Sequence, residues 1–412
     1  MAQTTSPAQD FSPSATGASA TSRETLRFLA LTSAVLFIGM LGAYALGLHG
    51  SLPFPQDGNG NILGHDFLNT WFFGKAAFLD DPGRFYDHDA YAGWVSEVVP
   101  NNIVERLWSY PPHFLLMAAP LGYLPYPLAL AVWTLTGLAA LYGAIRGDRL
   151  STFTILTSPA ALFCIISGQI SFFLAAFMLA ALRHLDRRPL IAGFLISLCT
   201  VKPQTGLLIP VLLVASGRWR VLCAAALGTC GLAAASLLIW GVDIWRDYIG
   251  LGLPAQLADT AGTYQVLTPW SPTITTALIM AGLDAKAAAI LQLGFAALAA
   301  LLVAIGCRRG PMDARKTALF LACSVFAAPY LLAHDLVAVT AAAVMLAVAE
   351  PLDKWGSLAV KAIFLLPMLQ MAAGVAHIPG VAIVPVGFAL WAFLRRDPAP
   401  PNPCPSAVPI AP

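Results

Sequence analysis

The chain alternates long uncharged apolar runs with short basic connectors. Phe28–Leu48, Leu150–Leu182, Val221–Val242 and Ala287–Cys307 carry no charged side chain, and each reaches the ~20 residues needed to cross a hydrocarbon core. In that environment the backbone must satisfy its own hydrogen bonds, so the runs predict helices. Between them recur Arg146–Arg149, Arg183–Arg188, Gly217–Arg220, Arg308–Lys316, Glu350–Trp355 and Arg395–Arg396. Lys and Arg concentrate in cytoplasmic loops, so consecutive connectors are expected to enclose an even number of crossings. Leu150–Leu182 then reads as a hairpin turning at Gly168-Gln169, and Pro189–Ser216 as one turning at Val201–Gln204. Thr317–Ala349 turns at His334-Asp335, and Ser357–Leu394 turns near His377–Gly380. Val221–Trp240 and Ala287–Cys307 flank an external loop near Asp243–Thr268.

Two apolar pieces, His113–Leu124 and Thr273–Leu283, are too short to span and follow Pro-rich aromatic stretches, WSYPP and TPWSP. They read as re-entrant or interfacial segments. The expected architecture is an all-α polytopic membrane protein of about twelve helices, with both termini cytoplasmic. Residues 27–396 form the membrane domain, and residues 49–112 its first external loop, the longest polar interval. Residues 1–26, rich in Ser, Thr and Ala, and the Pro-rich residues 397–412 are expected to be disordered tails. The N-terminal stretch lacks the basic start and cleavage site of a signal peptide, so Phe28–Leu48 reads as a retained helix.

Composition sharpens the class. Of 412 residues, 58% are hydrophobic and only 11% charged, where a soluble domain carries roughly 25% charged residues. The net charge of +2 gives no case for nucleic acid. The seven cysteines form no CxxC pair, and most lie in apolar runs, where cysteine behaves as a small hydrophobe.

The topology brings Asp66, Tyr110-Pro111-Pro112, Gly168-Gln169, Lys202-Pro203-Gln204 and His334-Asp335 to one face from five separate loops. Polar groups converging from dispersed positions are what a site looks like. The same segments carry a resemblance. HDFLNTWFFGKAA at His65–Ala77 with FYD downstream, the run Tyr110–Trp133, SGQISFFLAAFMLAAL, Arg187–Arg220 and AHDL at Ala333–Leu336 together resemble glycosyltransferase family 87. Those are polyprenol-phosphate-dependent enzymes of the GT-C fold that include mannosyltransferases. The resemblance spans most of residues 65–336, and its most specific part is the SGQ…AG…KPQ…RW succession. It implies a GT-C-like transferase of the bacterial inner membrane, with its site facing the periplasm. Such an enzyme passes a sugar, mannose by preference, from a polyprenyl phosphate to a glycolipid or glycan acceptor.

The chemistry needs a base near the nucleophile, donors for the leaving phosphate and a greasy slot for the lipid. No metal or other cofactor is expected, since a lipid monophosphate does not require one and no carboxylate cluster suggests one. Asp66 matches the acid that the resembled enzymes place in the first external loop, which makes it the candidate base; an Asp at a helix start is also an ordinary N-cap. Lys202 interrupts an uncharged stretch. An ionisable residue there marks function by default, with the donor phosphate as its expected partner, or it is a turn lysine snorkelling to water. Gln169 and Gln204 can donate to phosphate or sugar oxygens, or tie hairpin backbones together. His334 is a candidate donor, with Asp335 beside it as a helix cap. His65 adjoins Asp66, His113 can face the slot, and His377 reads as an interfacial loop residue. Tyr110, Trp108 and Trp270 can stack on a sugar or anchor the membrane interface. Asp80-Asp81 is a turn-like stretch, and Asp57 and Asp89 read as loop acids. A secondary transporter and a lipid-linked oligosaccharide ligase or polymerase are the rival classes. The first would show an inverted repeat and the second a pattern of external arginines, and neither is evident.

Overall fold

The computed structural model describes residues 19–47, 62–99, 108–145, 147–262 and 269–395. Expectations resting on the N-terminal 18 residues, on the 48–61 and 100–107 parts of the first loop, on Asp57, Arg146 and Arg396, and on the 397–412 tail lie outside the described residues. In chain order the helices are α1 (Ala20–Gly47), α2 (Phe67–Ala76), α3 (His88–Val98), α4 (Leu115–Gly122), α5 (Tyr126–Ile145), α6 (Arg149–Leu156) and α7 (Pro159–Ser167). There follow α8 (Ser171–His184), α9 (Pro189–Leu198), α10 (Ile209–Ala215), α11 (Trp219–Trp240), α12 (Asp243–Asp247), α13 (Leu253–Gly262) and α14 (Ile274–Met280). The last are α15 (Ala285–Gly306), α16 (Ala314–Ala327), α17 (Val337–Ala349), α18 (Lys354–Val375) and α19 (Ile383–Leu394).

Helices α1, α5, α11, α15 and α18 are long and apolar enough to cross a membrane, and α6 with α7, bent by 46°, makes up a sixth. This is a multi-pass membrane protein. Against the expected count of about twelve, the remaining apolar helices are short: 14 residues in α8 and α16, 13 in α17, 12 in α19, 10 in α9 and 7 in α10. The break between α6 and α7 has a local cause. Ser158 caps α7 by accepting from Ala161 N–H, and Pro159 at the first helical position has no N–H to continue α6. α1 starts at Ala20, seven residues inside the expected tail. Ser22 there hydrogen-bonds Glu350 O and Leu352 N, and Thr25 bonds Ser357.

Most loop acids are used as helix caps. Asp87, Asp148, Asp284, Asp313 and Asp353 each accept from a backbone N–H of the helix that follows, which satisfies donors a helix start leaves open. The centre of the bundle is α16 and α17, buried along nearly their whole length. Their Ala-rich sequences let neighbouring helices approach closely. α1 and α11 lie at the rim with most of their side chains exposed, as lipid-facing helices would.

The basic connectors meet at one end of the bundle. Arg218 donates to Asp186 at 2.8 Å and to Gly310 O, and Asp186 also accepts from Met312 N. Arg183 bonds Ala144 O, at the end of α5. Arg315 bonds Arg395 O and lies 4.0 Å from Glu350.

The described part of the first loop is a packed aromatic unit. Phe72, Phe73, Phe85, Tyr91 and Trp108 are all buried, and Phe72 meets Trp94 edge-on at 4.6 Å. Trp108 stacks on Phe73, so it belongs to this core and is not available to stack on a sugar. The unit docks where α2 crosses α4 at Gly74 and Gly122. A Cβ on Gly74 would lie 2.7 Å from Gly122 N, closer than real Cβ atoms come. Gly122→Ala is therefore expected to cost about 1–3 kcal/mol through overpacking, read as a lower unfolding midpoint of the purified protein. A wild-type midpoint would show that the crossing is not tight.

Candidate active site

Asp66 opens α2, yet its side chain does not cap that helix. The turn before it explains why. Gly64 and His65 both have positive φ, +76° and +38°, a region costly for a residue with a side chain. The turn is held in place by Tyr126 OH donating to Leu63 O and by Asp66 N–H donating to Ser167 O. The Asp66 carboxylate accepts from Gln169 Nε2 at 2.7 Å, and the residue as a whole is half-buried.

Gln169 sits where α7 ends. Gly168 closes that helix with φ +61°, and a Cβ there would lie 2.5 Å from Phe67 Cβ and 2.9 Å from Gly64 O. Only glycine lets the Asp66 turn lie this close. Trp133 Nε1–H donates to Gly168 O at 3.0 Å, which secures the turn from α5.

The second half of the constellation centres on Asp335, in the short 3-10 turn Ala333–Leu336 ahead of α17. Its carboxylate is fully buried. It accepts from Lys202 Nζ at 2.5 Å, from Ser171 Oγ at 2.9 Å and from Leu332 N–H at 3.1 Å. The protein partner of Lys202 is thus Asp335. Lys202 is buried, with its ammonium turned to Asp335. Asp335 caps its own turn, as expected, and also holds the lysine. His334 is buried beside it, with Nε2 3.8 Å from Asp335 Oδ2.

Tyr110 joins the two halves. Burial first, and then the carboxylates of Asp66 and Asp335, raise its phenol far above the ordinary tyrosine range, so it stays protonated. Its ring leans on Phe114 at 4.4 Å. Gln169 Oε1 and His334 Nε2 are buried with no hydrogen-bond partner among the described residues. A cavity of about 40 Å³ lies beside the pair, lined by Ser171, Thr205 and Asp335 on its polar side and Leu174, Met178 and Val325 on the other. That is room for water and not for an isoprenoid chain.

The other expected residues lie elsewhere. Gln204 is half-buried and makes no hydrogen bond to this group among the described residues. The His65 ring faces Tyr44 of α1 at 6.5 Å. His113 pairs with Thr200 and lies parallel to Trp245; burial pushes its imidazole down to about 4, so it is neutral. His377 is exposed in the α18–α19 turn. Trp270 is partly exposed and meets Phe163 edge-on. Ser171 was not legible as a site residue. Its only signal is its place two residues after Gln169. Among the described residues no three His, Cys, Asp or Glu side chains gather as a metal site requires.

The fold and this polar cluster define a multi-pass membrane protein that collects an acid, an ammonium and amide donors where helical turns meet. Residues 108–334 match the family model for Glycosyltransferase family 87. The match covers more than half of the chain, and the chain belongs to that family and is a glycosyltransferase. No curated protein and no solved structure matches it. Asp66 lies before the matched residues and Asp335 just after them. Their hydrogen bonds to Gln169, Lys202 and Ser171 tie both to the matched region.

The ion pair has a testable energetic signature. Removing one member of a buried pair leaves an uncompensated charge, so Lys202→Met is expected to destabilise by about 3–5 kcal/mol. Lys202→Met/Asp335→Asn should recover most of that loss, because the asparagine oxygen can still accept from Leu332 N–H while its NH2 donates to Ser171 Oγ. Unfolding of both variants in detergent checks this. Additive losses would mean that the two groups do not interact.

Proposed function

We propose that this glycosyltransferase moves a hexose, mannose by preference, from a polyprenyl-phosphate donor to a hydroxyl of an extracytoplasmic glycolipid or glycan. In this reading the fold is GT-C-like with about twelve passes. The site faces the periplasm of a bacterial inner membrane, and transfer inverts the anomeric centre. Asp66 takes the acceptor hydroxyl proton. The acceptor oxygen attacks the anomeric carbon as the bond to the phosphate oxygen breaks, and the lipid phosphate leaves with the electron pair. With one base and no protein nucleophile, inversion follows.

The observation that carries the reading is the state of Asp66. Its side chain does not cap α2, as other loop acids cap their helices, and it accepts from Gln169, in a chain of this family. The Gln169 amide orients the carboxylate. Gln169 Oε1 and His334 Nε2 offer an acceptor and a ring nitrogen to sugar hydroxyls, since buried polar atoms without partners call for them. Lys202 carries three donors. Asp335 takes one and fixes the ammonium in place, and the others can meet a phosphate that gains charge in the transition state.

Asp66→Asn should keep the fold and reduce sugar transfer by about 10²–10⁴-fold or more, measured with a radiolabelled polyprenyl-phosphate sugar. Near-normal turnover would remove Asp66 from the mechanism. Lys202→Met should slow turnover per folded enzyme at saturating donor by roughly 10²–10³. Lys202→Arg should restore only part of it, because a planar fork replaces a compact ammonium. Full rescue by arginine together with unchanged donor KM would leave the lysine a purely structural role.

A further inference from the structure

At the end of the bundle away from Asp66, a cleft of about 620 Å³ opens where α15 ends, α16 begins and α19 ends. Arg308, Arg309, Arg315, Lys316 and Arg395 line it, and among the described residues no acid does. Some of this charge is engaged. Arg315 lies near Glu350, and Lys316 donates to Arg309 O and Pro311 O with Asp313 3.8 Å away. Arg308 and Arg309 are exposed and form no ion pair among the described residues. Arg395 Nη1 is buried without a hydrogen-bond partner there. Five like charges facing one space repel one another and favour an anion between them.

The walls say which kind of anion. Ile305, Leu319, Phe393 and Leu394 complete the lining, and Ile305 and Leu394 are exposed to 57% and 73%. Along α15 the exposed apolar surface continues to Leu301. A soluble phosphate would gain nothing from such a surface, whereas acyl chains would cover it. Basic pockets between membrane helices at the charged interface suit lipid head groups. We propose that this cleft binds the phosphate head group of an anionic membrane phospholipid, with its acyl chains along α15 and α19. The site is separate from the transfer site: the 14 residues of α16 put roughly 20 Å between its two ends.

The test uses the purified full-length chain in neutral detergent, titrated with dioleoyl phosphatidylglycerol and followed by native mass spectrometry. Saturable binding is expected, with phosphatidylcholine binding far weaker. Arg308→Gln/Arg309→Gln should weaken phosphatidylglycerol binding roughly 25-fold, about five-fold per charge. Arg149→Gln/Arg220→Gln, which removes two exposed charges from other connectors of the same end, should leave it nearly unchanged. Equal losses in the two double variants would mean diffuse surface charge and overturn the site. Inorganic phosphate or glycerol phosphate binding as tightly as the lipid would overturn the lipid assignment. Absence of saturable lipid binding by the full chain would overturn the proposal altogether.

Discussion

A buried carboxylate sets the terms for the rest of the molecule. Asp335 has no access to water, and an ionised group so placed is costly unless paired and hydrogen-bonded. Three separate segments answer that demand. Lys202 comes from the turn after α9, Ser171 from the start of α8, and the Leu332 N–H from the approach to α17. Each has one arrangement in which its donor reaches the acid. Sliding the Lys202 turn against the Asp335 turn by a helical turn would strand a charge, so the pair specifies register as well as joining the hairpins. The α7–α8 turn is held on the same occasion, and with it Gln169 and the Asp66 carboxylate it meets. The geometry proposed for catalysis is thus downstream of this one buried ion pair.

Much of this was legible in the sequence, for plain reasons. A Gly-Gln pair, a lysine beside a proline and a His-Asp pair interrupt their apolar runs where the chain turns, so Gly168-Gln169, Lys202 and His334-Asp335 announced their hairpins. Partner choice was not legible. An Asp before a helix reads the same whether it caps, as Asp148 and Asp353 do, or turns away, as Asp66 does. What decides is a strained turn at His65 and a contact with residue 169, and neither leaves a local trace. Trp108 shows the same ambiguity among aromatics, since a core residue and an interfacial one share a composition. The start of α1 was misplaced because Ser22 and Thr25 look like tail residues until Glu350, Leu352 and Ser357 supply their hydrogen bonds. The basic cleft was spread over connectors that the sequence shows only as topogenic charge.

The two ends of the bundle use charge differently. At the Asp66 end, the two central carboxylates, Asp66 and Asp335, each have specific partners. At the other end, cations outnumber acids, and the acids that are present knit connectors together, as Asp186 does for Arg218 and Met312. The first arrangement holds a geometry. The second holds a potential.

The short helices have a mechanical consequence. α9 and α11 start side by side at the basic end, where Arg218 meets Asp186. α11 continues for 22 residues, or roughly 33 Å, enough for a hydrocarbon core of about 30 Å. α9 and the turn after it stop at Val201, after roughly 20 Å. Lys202 is therefore sunk roughly 10 Å below the level its neighbour reaches, and α8 and α16, at 14 residues each, stop at a similar depth. A bilayer against the exposed face of α9, at Leu190, Ile191 and Phe194, can pinch inward or let head groups and water descend, at fractions of a kcal/mol per Å. On the proposed reading, the thickness of the host bilayer becomes a setting on how far a lipid-borne phosphate travels to reach the lysine.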